Sequence, residues 1–289
     1  MLASFPARAM VLPNVVVSTE VLQPAVDAVL KGITRSSVLL TNTQDLHRAR
    51  LSPSQVQLLE TADILIVPDR RLTPTLKNWY AKIEKRGGII LSLTEQEEAK
   101  SLIMEGGNNQ ADPHIWLDPL RMANLMQVVA RVIGSYTPEI NADLHANAQR
   151  WARHMRATLV PNITRMLKAQ QGRTGTATIF AAHPAYRYFT ERFALSGIRY
   201  HTSSGHKKQG ARSQLRMIEY VTQLKPDCII VDSLPNRKME KLASDIGKPI
   251  YAIMPTKLVD SREVTPLPWF ESDYDRLIYA IAKRFADCY

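Results

Sequence analysis

What the chain lacks narrows its function before any motif is considered. No apolar run approaches the roughly 18 residues needed to cross a bilayer, which points to a soluble protein. No G-x-S-x-G elbow or comparable nucleophile motif occurs, so hydrolysis through an activated serine or cysteine has no sequence support. Aromatic residues make up only 7% of the chain, and basic residues exceed acidic ones by 37 to 27. The basic residues fall in short separated clusters, at 47–51 (HRARL), 69–71 (DRR), 206–208 (HKK) and 237–238 (RK), and not in a stripe interleaved with aromatics. Nucleic-acid binding is therefore not expected, and the net charge of +10 reads as a solvated basic surface that assists approach to an acidic partner. Residues 7–9 (ARA) have the small-x-small form of a signal-peptidase site, but the stretch before them is too short for an apolar core of about 7–15 residues. Two cysteines, Cys228 and Cys288, are too few for spacing to say whether they are free or bonded. A bond would clamp the last helical pattern, 272–288, to a strand, worth about 4 kcal/mol in the chain-entropy model.

At 289 residues and 45% hydrophobic content, the chain is long enough for two modest α/β lobes. Two copies of one plan are legible. The first half has short apolar runs at 14–19 (NVVVST), 36–42 (SSVLLTN), 63–68 (DILIVP) and 88–93 (GIILSL). The second has them at 177–182 (ATIFAA), 198–202 (IRYHT), 227–232 (DCIIVD) and 249–254 (PIYAIM). Helical patterns alternate with them, notably 52–62, where Ser52 is placed to cap and Pro53 to fill the first helical position, and 209–224. Such alternation implies mostly parallel four-stranded sheets flanked by helices.

Glycine is missing from Thr137 to Gln171. Thr137 and Pro138 form a start signal, Gly172 a stop, and apolar residues from Ile140 to Ile163 recur every three or four positions. The pattern predicts one long helix over 137–171, kinked at Pro161, between an amino-terminal lobe at 1–136 and a carboxyl-terminal lobe at 172–289. At 1.5 Å per residue it would run about 50 Å and stiffen the junction.

Three histidines stand beyond strand ends or at turns between elements. His47 lies a few residues past 36–42, His183 directly follows 177–182, and His114 sits in residues 112–119 (DPHIWLDP). Ligands of open parallel α/β sheets bind where loops leave the carboxyl ends of strands, so convergence of these imidazoles between two lobes would make a metal site. Trp116 would lie close enough to report binding, although a core role is its default.

The segment DPHIWLDP at 112–119, the histidine ahead of 52–63, the motif HPAYRYF at 183–189 and the long connecting helix together resemble the metal-specific solute-binding proteins of ABC importers, most closely the zinc branch of ZnuA-like proteins. The resemblance runs from about residue 14 to the end. It implies a periplasmic, monomeric, non-enzymatic carrier that captures Zn2+ between its lobes and delivers it to an ABC permease. His47, His114 and His183 match the three histidine ligands. A histidine at 183, where the manganese branch has a carboxylate, points to zinc, in keeping with imidazole's suitability for that ion. Cys228 and Cys288 match a disulfide found in some zinc members, in keeping with an oxidising compartment.

The chain departs from the family in three places. Met254 stands where the family has a cleft aspartate, so the fourth place would be filled by water, by another carboxylate, with Asp232 first and Asp45 and Asp260 behind it, or not at all; Asp232 also fits a supporting acid beside the ligands. Residues 68–74 (PDRRLTP) replace a glycine-containing loop, and 104–110 (MEGGNNQ) replaces a histidine-rich acidic one. His201 and His206 read as loop residues near the cleft, and His145 and His154 as helix residues. Two other readings follow: a divergent paralogue that keeps the scaffold but binds metal weakly or takes another ligand, and a hydrolase using three histidines and a zinc-bound water.

Overall fold

The computed structural model describes residues 11–41, 50–103, 109–200, 211–232, 237–259 and 262–289. All eight predicted strands form: β1 (Val15–Thr19), β2 (Ser37–Leu40), β3 (Ile64–Val67), β4 (Ile89–Ser92), β5 (Ile179–Ala181), β6 (Ile198–Tyr200), β7 (Cys228–Val231) and β8 (Ile250–Ala252). They make two four-stranded sheets ordered β2-β1-β3-β4 and β6-β5-β7-β8, with every pairing parallel. The two orders are the same plan written twice.

Among the described residues, ten α-helices join them: α1 (Gln23–Val29), α2 (Pro53–Thr61), α3 (Lys77–Lys85), α4 (Pro119–Tyr136), α5 (Asn141–His154), α6 (Val160–Thr174), α7 (Arg187–Arg192), α8 (Ala211–Leu224), α9 (Arg237–Ile246) and α10 (Asp273–Ala286). Side chains alternate across each sheet, as the two-residue period of a strand requires. Val15, Val17, Ile64 and Ile66 point to the inner face, whereas Val16, Leu65 and Val67 meet Leu59, Tyr80 and Ile83 on the outer face. In the second sheet Ile179, Ala181, Cys228 and Ile230 face inward, while Phe180, Ile229 and Val231 pack on Met217, Val221, Met239 and Leu242.

The inner faces of both sheets belong to one continuous core. It takes in Val26 of α1, Met126 of α4, Leu144 of α5, Ile163 of α6, Phe189 of α7 and Ile281 of α10. The lobes therefore share a hydrophobic interior across their junction. Gly134 allows α4 to lie tight against the start of α5, because a methyl group there would strike Asn141.

The long linking helix forms between the lobes, with a π turn inside it. It opens with a 3-10 turn at Pro138–Ile140, which Thr137 precedes without a side-chain capping bond. It then runs through α5, a π turn at Met155–Leu159 and α6, which passes Gly172 and ends at Gly175, whose φ is +83°. The wide turn immediately precedes Pro161. Proline has no N–H for the carbonyl four residues back and its ring crowds that carbonyl, and the local widening relieves both. Ser52 caps α2 through a reciprocal pair of bonds with Gln55, with Pro53 in the first turn as expected.

Among the described residues, no helix is long and apolar enough to cross a membrane. Cys228 at the start of β7 is bonded to Cys288 beyond α10, so the bond ties the final helix to the sheet.

Candidate metal centre

In each sheet the chain steps to opposite sides of its first strand, which leaves a crevice at the carboxyl ends of the two central strands. In the second lobe these are β5 and β7, and the residues just beyond them are His183 and Asp232. His183 Nδ1 lies 3.2 Å from Asp232 Oδ2. Strand placement alone thus brings an imidazole and a carboxylate together.

His114 reaches the same place from the first lobe. It precedes a single 3-10 turn at Ile115–Leu117, just as His183 precedes one at Pro184–Tyr186. The two rings stand 5.0 Å apart, centre to centre, at 83°. Two imidazoles on one tetrahedral zinc, with Zn–N bonds of about 2.0–2.1 Å, hold their centres roughly 5 Å apart.

Asp112 fixes the orientation of His114. Its Oδ1 accepts from the His114 backbone N–H at 3.1 Å and meets Nδ1 at 2.8 Å. An ionised carboxylate only accepts, so Nδ1 carries the proton and the Nε2 lone pair is left for a ligand role. Asp232 lies beside Nδ1 of His183 at the longer distance of 3.2 Å. Burial pushes the His114 pKa down, the Asp112 bond pushes it back, and the net direction is below the ordinary histidine value. Asp232 is raised by burial and lowered more by the His183 hydrogen bond and charge, ending below the usual carboxylate range. Each of the two imidazoles thus has a carboxylate beside its Nδ1, a recurrent support for metal ligands.

The motif around His114 is also the seam between the lobes. Trp116 is fully buried 5.3 Å from the His114 ring, its Nε1 donates to the Pro255 carbonyl at 2.7 Å, and its own carbonyl accepts from Tyr274 at 2.7 Å. Tyr188 donates to the Asp112 carbonyl at 2.9 Å and accepts from the Leu102 N–H at 2.9 Å. Asp118, fully buried, caps α4 and receives both Arg121 from its own helix and a two-bond fork from Arg192 of α7 at 2.7 and 2.9 Å. Glu20, at the end of β1, accepts from the Leu258 N–H at 3.2 Å, beyond β8.

His47, Asp45, Asp260, His201 and His206 lie outside the described residues. Met254 follows β8 and is half-buried. Among the described residues, no group of three His, Cys, Asp or Glu side chains is placed to hold an ion; what is present is the two-histidine pair and its carboxylates. His154 is accounted for without metal, since it meets Asp275 at 3.0 Å and Glu271 at 3.2 Å. His145 is half-buried on α5. The roles of Asp112 and Tyr188 escaped the sequence reading. For Asp112 the signal was its place two residues before His114, the spacing at which a carboxylate reaches the following backbone N–H.

The fold has known counterparts. The family model described as zinc-uptake complex component A, periplasmic, matches residues 15–288. The high-affinity zinc uptake system protein ZnuA of Paracoccus denitrificans is 26% identical over 226 residues, covering 67% of each chain. A crystal structure of a ZnuA deletion mutant with zinc bound superposes with a TM-score of 0.76 at 18% identity, covering 96% of this chain and 98% of that one. The periplasmic zinc-binding protein TroA of Treponema pallidum superposes at 0.75 and 16% identity, covering 96% and 99%. With a match that spans both sheets, the linking helices and the histidine pair, the chain belongs to the family of periplasmic zinc-uptake component A proteins, which are solute-binding proteins and not enzymes.

Proposed function

We propose that the protein captures Zn2+ in the periplasm between its two lobes and delivers it to an ABC permease. The observation that carries this reading is the edge-on His114–His183 pair, 5.0 Å apart, with each Nδ1 backed by a carboxylate. His47 supplies the third imidazole from the loop after β2. Asp232 acts as the carboxylate that orients His183 and lends its charge to the site at one remove; water then takes the fourth position that Met254 does not fill. Three neutral imidazoles and one water are a recurrent zinc set. Residues 1–136 and 172–289 serve as the two lobes and 137–171 as the rod between them. The protein acts as a monomer, and its basic surface guides protein docking and not nucleic-acid binding.

The absence of a cleft carboxylate at Met254 favours one competing reading, a relative that keeps the scaffold but binds metal weakly. Calorimetric titration of metal-stripped protein separates the two. The proposal expects one zinc per chain, bound tightly, undisplaced by manganese and lost in His183→Ala. Weak binding indifferent to His183 would replace it with the competing reading.

A further inference from the structure

A second polar site lies away from the histidines. A cleft of about 270 Å³ is lined by Glu98, Lys100, Leu120, Arg121, Asn124, Arg156 and Arg192. Four of these seven residues are cations, and they come from three parts of the fold: Lys100 and Arg121 from the first lobe, Arg156 from the π turn of the linking helix, and Arg192 from α7 of the second lobe. Carboxylates balance only part of this charge. Asp118 takes Arg192 and shares Arg121 with Glu191, and Glu98 is engaged by Arg131. Among the described residues Arg156 meets a neutral partner, the Asn124 side-chain oxygen at 2.7 Å. Among the described residues the Lys100 ammonium has no anionic partner.

The backbone beside the cleft is also built in an uncommon way. Lys100 adopts the left-handed conformation, φ 44° and ψ 53°, which a side chain-bearing residue takes at a cost. Its carbonyl there accepts from Arg121 Nε at 3.1 Å, so all three guanidinium nitrogens of Arg121 are held: by Lys100, Asp118 and Glu191. Arg192 is fixed by its two-bond fork to Asp118. Two guanidinium groups are thus immobilised with N–H bonds to spare, and Lys100 and Arg156 add two further positive charges to the same cleft.

We propose that this cleft binds a phosphate-class oxyanion, which bridges the first lobe, the linking helix and the second lobe. Arginine forks and a lysine ammonium are the donors that suit such an anion, and a cavity of this size admits one with its hydration water.

The test is calorimetric titration of the metal-free full chain with inorganic phosphate at constant ionic strength, beside the double variant K100Q/R156Q. Both side chains are exposed and outside the core, and circular dichroism together with retained zinc binding verifies that the variant folds. The expected result is a single saturable site in the native chain whose affinity falls at least tenfold in the variant. Sulfate should compete with phosphate, while chloride at equal ionic strength should not. No saturable heat in the native chain, or equal affinity in the folded variant, would overturn the proposal; a rise in melting temperature alone, equal in both proteins, would show only general salt stabilisation and would also count against it.

Discussion

At the scale of single residues, two carboxylates that need not touch the ion support the proposed ligands. Asp112 bonds the Nδ1 of His114, and Asp232 lies 3.2 Å from that of His183. Asp112→Asn and Asp232→Asn should each weaken zinc binding by about 10–100-fold, the usual consequence of losing a partner behind a ligand. His114→Ala and His183→Ala should cost more than either. Competition against a chromogenic chelator measures all four, and a larger loss for Asp232→Asn than for His183→Ala would make Asp232 a direct ligand. The pH dependence has a definite sign. Zinc takes the neutral imidazole, and burial holds the His114 pKa below its ordinary value, so protons compete at His114 only in more acid solution. Affinity should stay level through neutral pH and fall below about 6.5, where ordinary histidines charge. His154 behaves oppositely. Burial lowers its pKa, but the Asp275 bond and the Asp275 and Glu271 charges raise it further, so the net direction is up. A raised histidine stabilises the fold below its unfolded pKa and loses that contribution as pH rises through the folded one. His154→Gln should therefore destabilise the protein more at pH 5.5 than at pH 8.5, as read by urea unfolding.

At the scale of elements, the eight strands were legible because each is a short apolar run with turn residues at its ends, and burial on both faces of a parallel sheet demands that composition. Ser52 and Pro53 marked the start of α2 for reasons of capping chemistry that hold locally. The linking helix was harder to read. Pro161 announced a distortion, but whether the backbone kinks, breaks or widens into a π turn depends on how Met155 and Leu159 are buried against neighbouring helices, which no local pattern records. In the same way the position of Asp232 at a strand end was readable, but the atom it faces depends on two strands adjacent in space and distant in sequence. His47 and the loop that carries it lie outside the described residues, so the third imidazole rests on the family resemblance. Asp118 ends one element and ties two lobes, and it is fully buried under two arginines. Asp118→Asn removes the charge that both guanidinium groups face and should cost at least about 2 kcal/mol, in the range of broken buried ion pairs. The disulfide joins β7 to the end of α10 across 60 residues. Replacing both cysteines with serine should lower stability by about 2–4 kcal/mol in a denaturant titration.

At the scale of the whole molecule, the shared core decides how the protein can move. Residues of both sheets and of the helices between them form one buried cluster, and Trp116, Tyr188, Asp118 and Glu20 add polar ties across the seam. Opening the lobes as rigid bodies would expose that interior. Metal entry and release should therefore proceed through local rearrangement around the cleft loops, and small-angle scattering curves of the stripped and zinc-loaded chain should superimpose. A marked contraction on loading would mean that the core divides where the structure shows it continuous.

The proposed zinc site rests on the paired histidines at the lobe junction even though methionine stands at position 254. Titration of the metal-stripped chain with zinc, in the presence of manganese and beside His183→Ala, tests it most directly. One tightly bound zinc, indifferent to manganese and lost with His183, is the predicted result. Weak binding, or tight binding that survives the loss of His183, would contradict it.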